Sequence, residues 1–220
     1  MAEPGAKGVG CLIAIDGPDS KAMATLADSL HETLTERQRP VLVSRWDASA
    51  LFTDFAAAPV QHRDVSPRTL MLLYAADLAF RLRWEIEPAI AAGHIVIAAP
   101  YVMTGVTFGV ATGLSQEWLT TLFRFAPLAS RTVVMRDGKP AREWKRRPER
   151  GFCDCCTALL EATPERFRRR KTRAAMADLL STAAEKSGGL YRKRDRRSLV
   201  DEILTWHDPP AGRRHRPHAQ

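Results

Sequence analysis

The sequence predicts a doubly wound α/β fold, in which helices cover both faces of a parallel sheet. Short, nearly continuous apolar runs alternate along the chain with helical patterns, as they do in repeated βαβ units. A strand of such a sheet reads as a continuous apolar run because neither of its faces meets solvent. The 220 residues suit one domain of this class, and we expect that domain to span residues 1–206.

Five strands are predicted, and the first of them is expected at the centre of the sheet. Its run, GCLIAID, has five consecutive apolar residues before the closing Asp16. The other runs are shorter, and helical patterns separate them. The predicted strands are residues 10–16, 41–45, 94–99, 131–136 and, weakly, 189–192.

Five helices are predicted between and after these strands. In the first of them the apolar residues fall on one stripe, which is typical of a helix that packs one face on a core. That stripe consists of Met23, Leu26, Ala27, Leu30 and Leu34. The predicted helices are residues 23–37, 66–92, 115–126, about 164–186 and 196–206.

The long second helix has recognisable boundary residues. Ser66 is a favourable N-cap, and Pro67 suits the first helical position, where a missing N–H loses no intrahelical bond. Pro88 is expected to kink this helix or divide it. After the last helix, residues 207–220 are rich in Pro, Arg and His and are predicted to form a disordered basic tail.

The net charge of +8 is unevenly distributed along the chain. Residues 139–197 hold 18 Lys and Arg against 8 Asp and Glu, whereas residues 1–138 hold 12 against 14. This basic block indicates an anionic ligand, such as nucleotide phosphates or nucleic acid. A solvated basic surface with no ligand explains the same pattern, and few aromatic residues interrupt the block to stack on bases.

Composition favours a cytoplasmic protein without a membrane partner. No apolar run approaches the roughly 18 residues that a membrane helix needs, and residues 1–8 lack the apolar core of a signal peptide. The cluster Cys153, Cys155 and Cys156 does not resemble a secreted disulfide framework. Two adjacent cysteines fit one tetrahedral Zn²⁺ poorly, so no metal site is predicted, and a redox role or incidental thiols remain open.

The first strand runs through Asp16 and Gly17 into a helix, as a phosphate-binding loop does. The P-loop pattern is G-x-x-x-x-G-K-[ST]. Counted from Gly17, its second Gly, its Lys and its hydroxyl residue are replaced by Ala22, Met23 and Ala24. The spacing from Gly17 to Thr25 is unchanged. We therefore interpret residues 17–25 as a decayed phosphate loop that keeps its shape.

The chain resembles the thymidylate kinase family of nucleoside monophosphate kinases over about residues 9–205. The similar segments occur in family order, and they are IAIDGPDSKAMATLADSL, VSRW, SPRTLMLLYAADLAFRLRWEIEPAIAAGHIVIAAPY and SLVDEIL. The resemblance implies a three-layer P-loop NTPase-like fold with a parallel sheet flanked by helices. For an active member it also implies phosphate transfer from ATP with Mg²⁺.

The departures from the family concentrate where its members do their chemistry. The Lys and the Mg²⁺-binding hydroxyl of the loop are missing, as described above. The family's Asp-Arg-Tyr becomes Ala99, Pro100 and Tyr101, and the Arg of its Ala-Ala-Asp-Arg becomes Leu78. The acceptor side of the site has therefore lost a carboxylate and two guanidinium groups.

Several residues still match positions that bind ligands in the family. The nucleotide-binding candidates are Gly17, Asp19, Ser20, Lys21 and Thr25. The acceptor-site candidates are Asp16, Arg45, Tyr101, Thr104 and Phe108. A lid-like basic segment at about residues 139–163 supplies further catalytic candidates beside Lys21, and these are Arg146, Arg147 and Arg150.

Three of these candidates have open alternatives. Lys21 reaches a phosphate from a displaced position, or it is simply solvated. Arg45 holds a phosphate, or it forms a structural ion pair, for instance with Asp47 or Asp77. Phe108 stacks on a base, or it packs in the core.

The preferred function is a thymidylate kinase-like pseudoenzyme that acts as a binding or scaffold module, with nucleotide binding weak or absent. The alternatives are an active kinase that uses Lys21 with ATP and Mg²⁺, and a nucleic-acid-binding protein. Partners predicted for the pseudoenzyme are a second copy or an active enzyme. An apolar stretch of the long helix is available for such a contact, and it comprises Leu70, Leu73, Tyr74, Phe80 and Trp84.

Overall fold

A parallel sheet forms the centre of the computed structural model, in the strand order β2–β3–β1–β4–β5. Its strands are β1 (Cys11–Asp16), β2 (Val41–Arg45), β3 (Ile95–Ala99), β4 (Arg131–Met135) and β5 (Leu190–Tyr191). The structure describes residues 10–18, 20–46, 48–51, 66–135, 170–186, 190–191 and 195–207. The predicted α/β fold and the central position of the first strand are both confirmed.

The central strand shows why its sequence is apolar throughout. All six residues of β1 are buried. Ile13 lies in register with Ile97 of β3 on one side and with Arg131 of β4 on the other. A strand with neighbours on both edges and helices on both faces has no solvated side, so alternation of polar and apolar residues is absent.

Helices lie between the strands along the chain and after the last strand, and the predicted stripe of the first helix is buried. The helices are α1 (Ser20–Glu36), α2 (Pro67–Arg81), α3 (Glu87–Ala91), α4 (Val102–Ala111), α5 (Gln116–Leu122), α6 (Arg170–Lys186) and α7 (Arg196–His207). None of the helices in the described part of the chain is both long and apolar enough to cross a membrane.

The long second helix begins and divides as the sequence predicted. The side chain of Ser66 accepts a hydrogen bond from the Thr69 N–H, and Pro67 follows as the first helical residue. A π-helical turn at Leu82–Ile86 separates α2 from α3. Pro88 has no N–H, and its ring would clash with the carbonyl four residues earlier, so the wider turn relieves the conflict.

Helix α4 was not predicted. Its sequence, VMTGVTFGVA, has no charged residue, so it shows no polar face and no helical period. None of its residues is exposed in the structure, and residues 104, 105, 107, 108 and 109 are buried. A Cβ at Gly105 would lie 3.0 Å from ring atoms of both Tyr74 and Phe123, so the glycine lets these rings approach the helix.

The ends of three helices differ from the prediction. Helix α1 begins at Ser20 instead of residue 23, and α5 ends at Leu122 instead of residue 126. Helix α7 continues through His207, which is buried and therefore does not belong to a disordered tail. Residues 208–220 and the lid-like segment at 139–163 lie outside the described residues.

Candidate functional site

Helix α1 begins within the segment that matches the phosphate-loop pattern. Because α1 begins at Ser20, residues 20–22 are helical where the P-loop pattern has open loop. Ala22 favours this extension, since alanine is about 1 kcal/mol better than glycine inside a helix. Lys21 therefore lies in the first turn of α1. Asp19 lies outside the described residues, so the interpretation of residues 17–25 as a decayed phosphate loop stays a prediction.

Gly17 is held by the protein at the end of β1. Its N–H donates to Thr104 Oγ1 at 3.1 Å. A Cβ on Gly17 would lie 3.1 Å from both the Cβ and the carbonyl oxygen of Met135. Close packing against the end of β4 therefore favours a glycine here, since a Cβ would force Met135 to shift by a few tenths of an ångström.

Met23 occupies the position of the P-loop lysine, and its side chain is only 1% exposed. Its Sδ atom lies 4.0 Å from Thr104 Oγ1, inside the hydrophobic core. A thioether suits this apolar space, whereas an unpaired ammonium there would be strongly destabilising. The lysine position therefore faces the protein interior.

These residues do not fit a Mg²⁺-nucleotide site of the P-loop kind. Ala24 has no hydroxyl to bind the metal, and Met23 has no charge for the phosphates. The carboxylate of Asp16, which precedes the loop, is engaged inside the protein, as described next. Within the described ranges, no group of three His, Cys, Asp or Glu side chains is placed to hold a metal ion.

Asp16 caps helix α4 from the end of a different element. Its Oδ1 accepts hydrogen bonds from the N–H groups of Tyr101 and Thr104, both at 2.9 Å, and from Thr104 Oγ1 at 2.8 Å. These N–H groups belong to the first turn of α4, where helices lack internal acceptors and favour negative charge. Burial nevertheless raises the pKa of Asp16, and hydrogen bonds from Thr104, Tyr101 and Met103 oppose that rise.

Because the pKa of Asp16 is raised above its ordinary 3.8, the folded protein binds this proton more tightly than the unfolded chain. The contribution of Asp16 to stability is therefore fully present below pH 3.8 and is lost as the pH rises through the folded pKa. Asp16→Asn keeps an Oδ1 acceptor and cannot titrate. We expect the free energy of unfolding of this variant not to fall in this way as the pH rises. At neutral pH it should lie within about 1 kcal/mol of the value for the parent.

Urea unfolding across the acidic and neutral pH range measures this effect. Asp178→Asn, which changes an exposed carboxylate on α6, is the matched control and should keep the pH dependence of the parent. An identical decrease in the parent and in Asp16→Asn would contradict the assignment of the pH dependence to Asp16.

A buried ion pair that the sequence analysis missed lies beside the predicted acceptor site. Arg81 Nε is 3.0 Å from Asp77 Oδ2, and both side chains are fully buried. Arg81 Nη1 and Nη2 donate to the Pro100 carbonyl at 3.0 and 3.1 Å. The spacing of Asp and Arg four residues apart on one helix was the available signal.

Two acceptor-site candidates are buried and bonded within the protein. The Tyr101 hydroxyl donates to the Pro127 carbonyl at 2.7 Å, and burial raises the pKa of Tyr101. Phe108 is buried in the core, as its alternative interpretation predicted. Neither side chain faces solvent in this structure.

Arg45 forms an ion pair with Asp28 of α1. The sequence suggested Asp47 and Asp77 as partners, and Asp47 lies outside the described residues. Asp77, one of those two, is paired with Arg81 instead. Thr25, a nucleotide-binding candidate, is exposed on α1.

The remaining candidates lie outside the described residues or have undescribed side chains. Asp19 lies outside, and for Ser20 and Lys21 only the helical backbone is described. The lid arginines and the cysteine cluster also lie outside, so the interpretations of the basic block stay predictions. These residues are Arg146, Arg147, Arg150, Cys153, Cys155 and Cys156.

Comparison with known proteins gives a consistent result. A family model described as thymidylate kinase matches residues 15–186. The chain is 27% identical over 121 residues to the thymidylate kinase of Halalkalibacterium halodurans, which covers 53% of this chain and 58% of that one. It is 27% identical over 123 residues to the probable thymidylate kinase of Pyrobaculum aerophilum, covering 56% and 62%.

A third relative aligns over a longer segment. The probable thymidylate kinase of Pyrococcus abyssi is 28% identical over 159 residues, which is 69% of this chain and 77% of that one. The first two alignments span less than two thirds of the relative's own length. The family model covers most of this chain, from the end of β1 to the end of α6.

Proposed function

Because this chain belongs to the thymidylate kinase family, we propose that it is a pseudoenzyme, a member that keeps the fold without efficient phosphoryl transfer. It acts as a binding or scaffold module. The observation that carries this proposal is Met23, which stands at the lysine position and packs into the core beside Thr104. A charge that neutralises the moving phosphoryl group is absent from that position.

The proposal is supported by four replaced residues, which affect different contacts of the reaction. Phosphoryl transfer depends almost entirely on positioning and electrostatic stabilisation. The nucleotide side lacks the loop lysine and the hydroxyl that holds Mg²⁺, at Met23 and Ala24. The acceptor side lacks the family's Asp and Arg, at Ala99 and Pro100. Each loss removes a different contact with the transferred group, so a single substitution elsewhere does not compensate for all of them.

Binding of Mg·ATP tests the nucleotide side of this proposal. We expect a dissociation constant in the millimolar range or weaker, because the missing lysine and Mg²⁺ ligand remove several kcal/mol and each 1.4 kcal/mol is about tenfold in affinity. Isothermal titration calorimetry measures it directly. Lys21→Ala is the matched variant. Low micromolar binding that this variant abolishes would favour the alternative, an active kinase with a relocated lysine.

The long helix offers a surface for a partner. Leu72, Phe80 and Trp84 are all exposed, and Trp84 is 66% exposed. They follow one another at helical spacing along α2 and the π-helical turn, so they form one stripe. Leu70 and Tyr74, which the sequence placed in the same contact, are fully buried and belong to the core.

We propose that this stripe contacts a second copy of the chain or an active relative. Sedimentation velocity of the purified chain distinguishes these partners. A dimer that dissociates in Trp84→Glu indicates that the partner is a second copy. If the chain is a monomer at micromolar concentration, an active relative remains as the proposed partner. A dimer that persists in the variant would place the contact elsewhere.

A further inference from the structure

Three consecutive residues at the end of β2 each contact a side chain of the same molecule. Ser44 Oγ donates to Glu85 Oε2 at 2.7 Å. Arg45 pairs with Asp28 of α1. Trp46 stacks on Tyr74 of α2, with ring centroids 4.4 Å apart and an interplanar angle of 25°.

These residues lie where a sheet of this kind binds its ligands. In open α/β sheets, ligands occupy the crevice outside the carboxyl ends of the strands. Residues 44–46 end β2 or follow it, and Tyr101 follows the neighbouring strand β3. The same segment, VSRW, carries the resemblance to the family's Thr-Arg-Glu-Pro. We call the space outside the ends of β2 and β3 the acceptor crevice.

Trp46 is fixed in this position by its surroundings. Its side chain is 3% exposed, although it belongs to a turn after an edge strand. Tyr74, on which it stacks, also packs edge-to-face on Phe123 at 5.7 Å and donates its hydroxyl proton to the Tyr101 carbonyl. The indole therefore rests on a ring that is held on two further sides.

The turn that carries Trp46 is also anchored. The Ser49 N–H donates to Asp77 Oδ1 at 2.9 Å. Asp77 is fixed in turn by its buried ion pair with Arg81. The chain after β2 is thus tied to α2 through a polar contact at Ser49 and an aromatic contact at Trp46.

We propose that this chain fills its own acceptor crevice: the Trp46 indole occupies the place of an aromatic base, and the Asp28 carboxylate occupies the place of a phosphate on Arg45. An indole is planar, aromatic and close in size to a nucleobase, and a carboxylate is an anion that pairs with a guanidinium as a phosphate does. A nucleoside monophosphate must displace both groups to bind. This inference rests on the proposed function, because the family assigns this crevice to the acceptor.

Of the two internal groups, the indole contributes more to keeping the crevice filled. Arg45 and Asp28 are 29% and 46% exposed, and solvent-exposed pairs contribute little. Trp46 is buried against rings, where its full apolar area is removed from water. Removing the ring should therefore open the crevice, whereas removing the carboxylate should only end its competition with an anion for Arg45.

Trp46→Gly tests the aromatic half with indole as the probe, because apolar cavities left by a deleted side chain bind small aromatic molecules. We expect indole at about ten times its dissociation constant to raise the melting temperature of Trp46→Gly by about 3 °C. The parent protein and Trp84→Gly should show no rise. Trp84→Gly is the matched control, since it deletes the same side chain from an exposed site.

Asp28→Asn tests the anionic half with inorganic phosphate as the probe. We expect phosphate to bind this variant about two- to fivefold more tightly than the parent, which corresponds to an exposed ion pair. The gain should disappear in the double variant Asp28→Asn/Arg45→Met. Equal phosphate affinity in Asp28→Asn and the parent would overturn this half.

A measurement on the parent protein keeps the proposal testable if Trp46→Gly does not fold. The chain is labelled with 5-fluorotryptophan, and the Trp46 resonance is assigned with Trp46→Phe. We expect that resonance to stay unchanged on addition of thymidine monophosphate. A saturable shift at micromolar thymidine monophosphate would mean that the crevice is open to the nucleotide, and the proposal would be wrong.

The outcomes separate this inference from the proposed function. Turnover of Mg·ATP and thymidine monophosphate by the parent would overturn the proposed function. An inactive parent, together with a folded Trp46→Gly that does not bind indole, would overturn the inference alone.

Discussion

Purified protein is expected to transfer phosphate from Mg·ATP to thymidine monophosphate at least about 10⁴-fold more slowly than the roughly 1–100 s⁻¹ typical of kinases. Removing one group that stabilises charge in a transition state costs about 10²–10³ in rate. Met23 and Ala24 remove two such groups on the nucleotide side, and Ala99 and Pro100 replace two more on the acceptor side. A coupled assay for ADP, with single-turnover measurements at high protein concentration, reaches the required sensitivity.

Restoring the lysine alone should not restore activity. Met23 faces the core in a helix that begins at Ser20, so Met23→Lys buries an ammonium instead of directing it at a phosphate. We expect this variant to lose stability without gaining turnover. Turnover near 1 s⁻¹ in the parent protein would contradict the pseudoenzyme proposal, and Lys21→Ala would then show whether that lysine is responsible.

Arg81→Ala is expected to destabilise the fold by about 3–5 kcal/mol, the range found when one partner of a buried ion pair is removed. The variant leaves the carboxylate of Asp77 buried without its guanidinium. It also deprives the Pro100 carbonyl of two donors. Urea unfolding gives the free energy of unfolding, and Arg83→Ala is the matched control.

Arg83 is exposed and lies two residues further along the same helical segment, so its removal should change stability by no more than about 0.5 kcal/mol. Equal decreases in the free energy of unfolding of the two variants would show that the Asp77–Arg81 pair stabilises the fold no more than an exposed arginine does. The double variant Asp77→Leu/Arg81→Met should recover part of the stability lost in Arg81→Ala, because no unpaired charge remains. It should not recover all of it, since the Ser49 N–H then lacks its acceptor.

The two internal networks meet at the acceptor crevice. Asp77 bonds both Arg81 and the turn after Trp46, so the ion pair and the aromatic stack stabilise the same segment. In a family that binds its acceptor at this end of the sheet, such contacts favour a closed site. The proposed binding or scaffold role therefore depends on the outer surface of the molecule, where Trp84 is exposed.

The layers of this protein could be predicted from its amino-acid sequence. Runs such as 11–15 and 95–99 are apolar at every position, and a strand buried on both faces needs no other pattern. Ser66, Pro67 and Pro88 marked the boundaries of the long helix, because caps and proline act through local backbone chemistry. The absence of the loop lysine could also be recognised in the sequence, since a motif is defined by residue spacing along the chain.

The partners of the polar groups at the site could not be predicted from the sequence, because they depend on how the elements pack. Asp16 and Thr104 are 88 residues apart in the chain, and the ion pair of Arg45 with Asp28 joins the end of β2 to α1. Helix α4 carried no period because none of its residues is charged and none is exposed. Periodicity records only the contrast between core and solvent. The partner of a buried polar group depends on which elements pack together, and that choice is made across the whole fold.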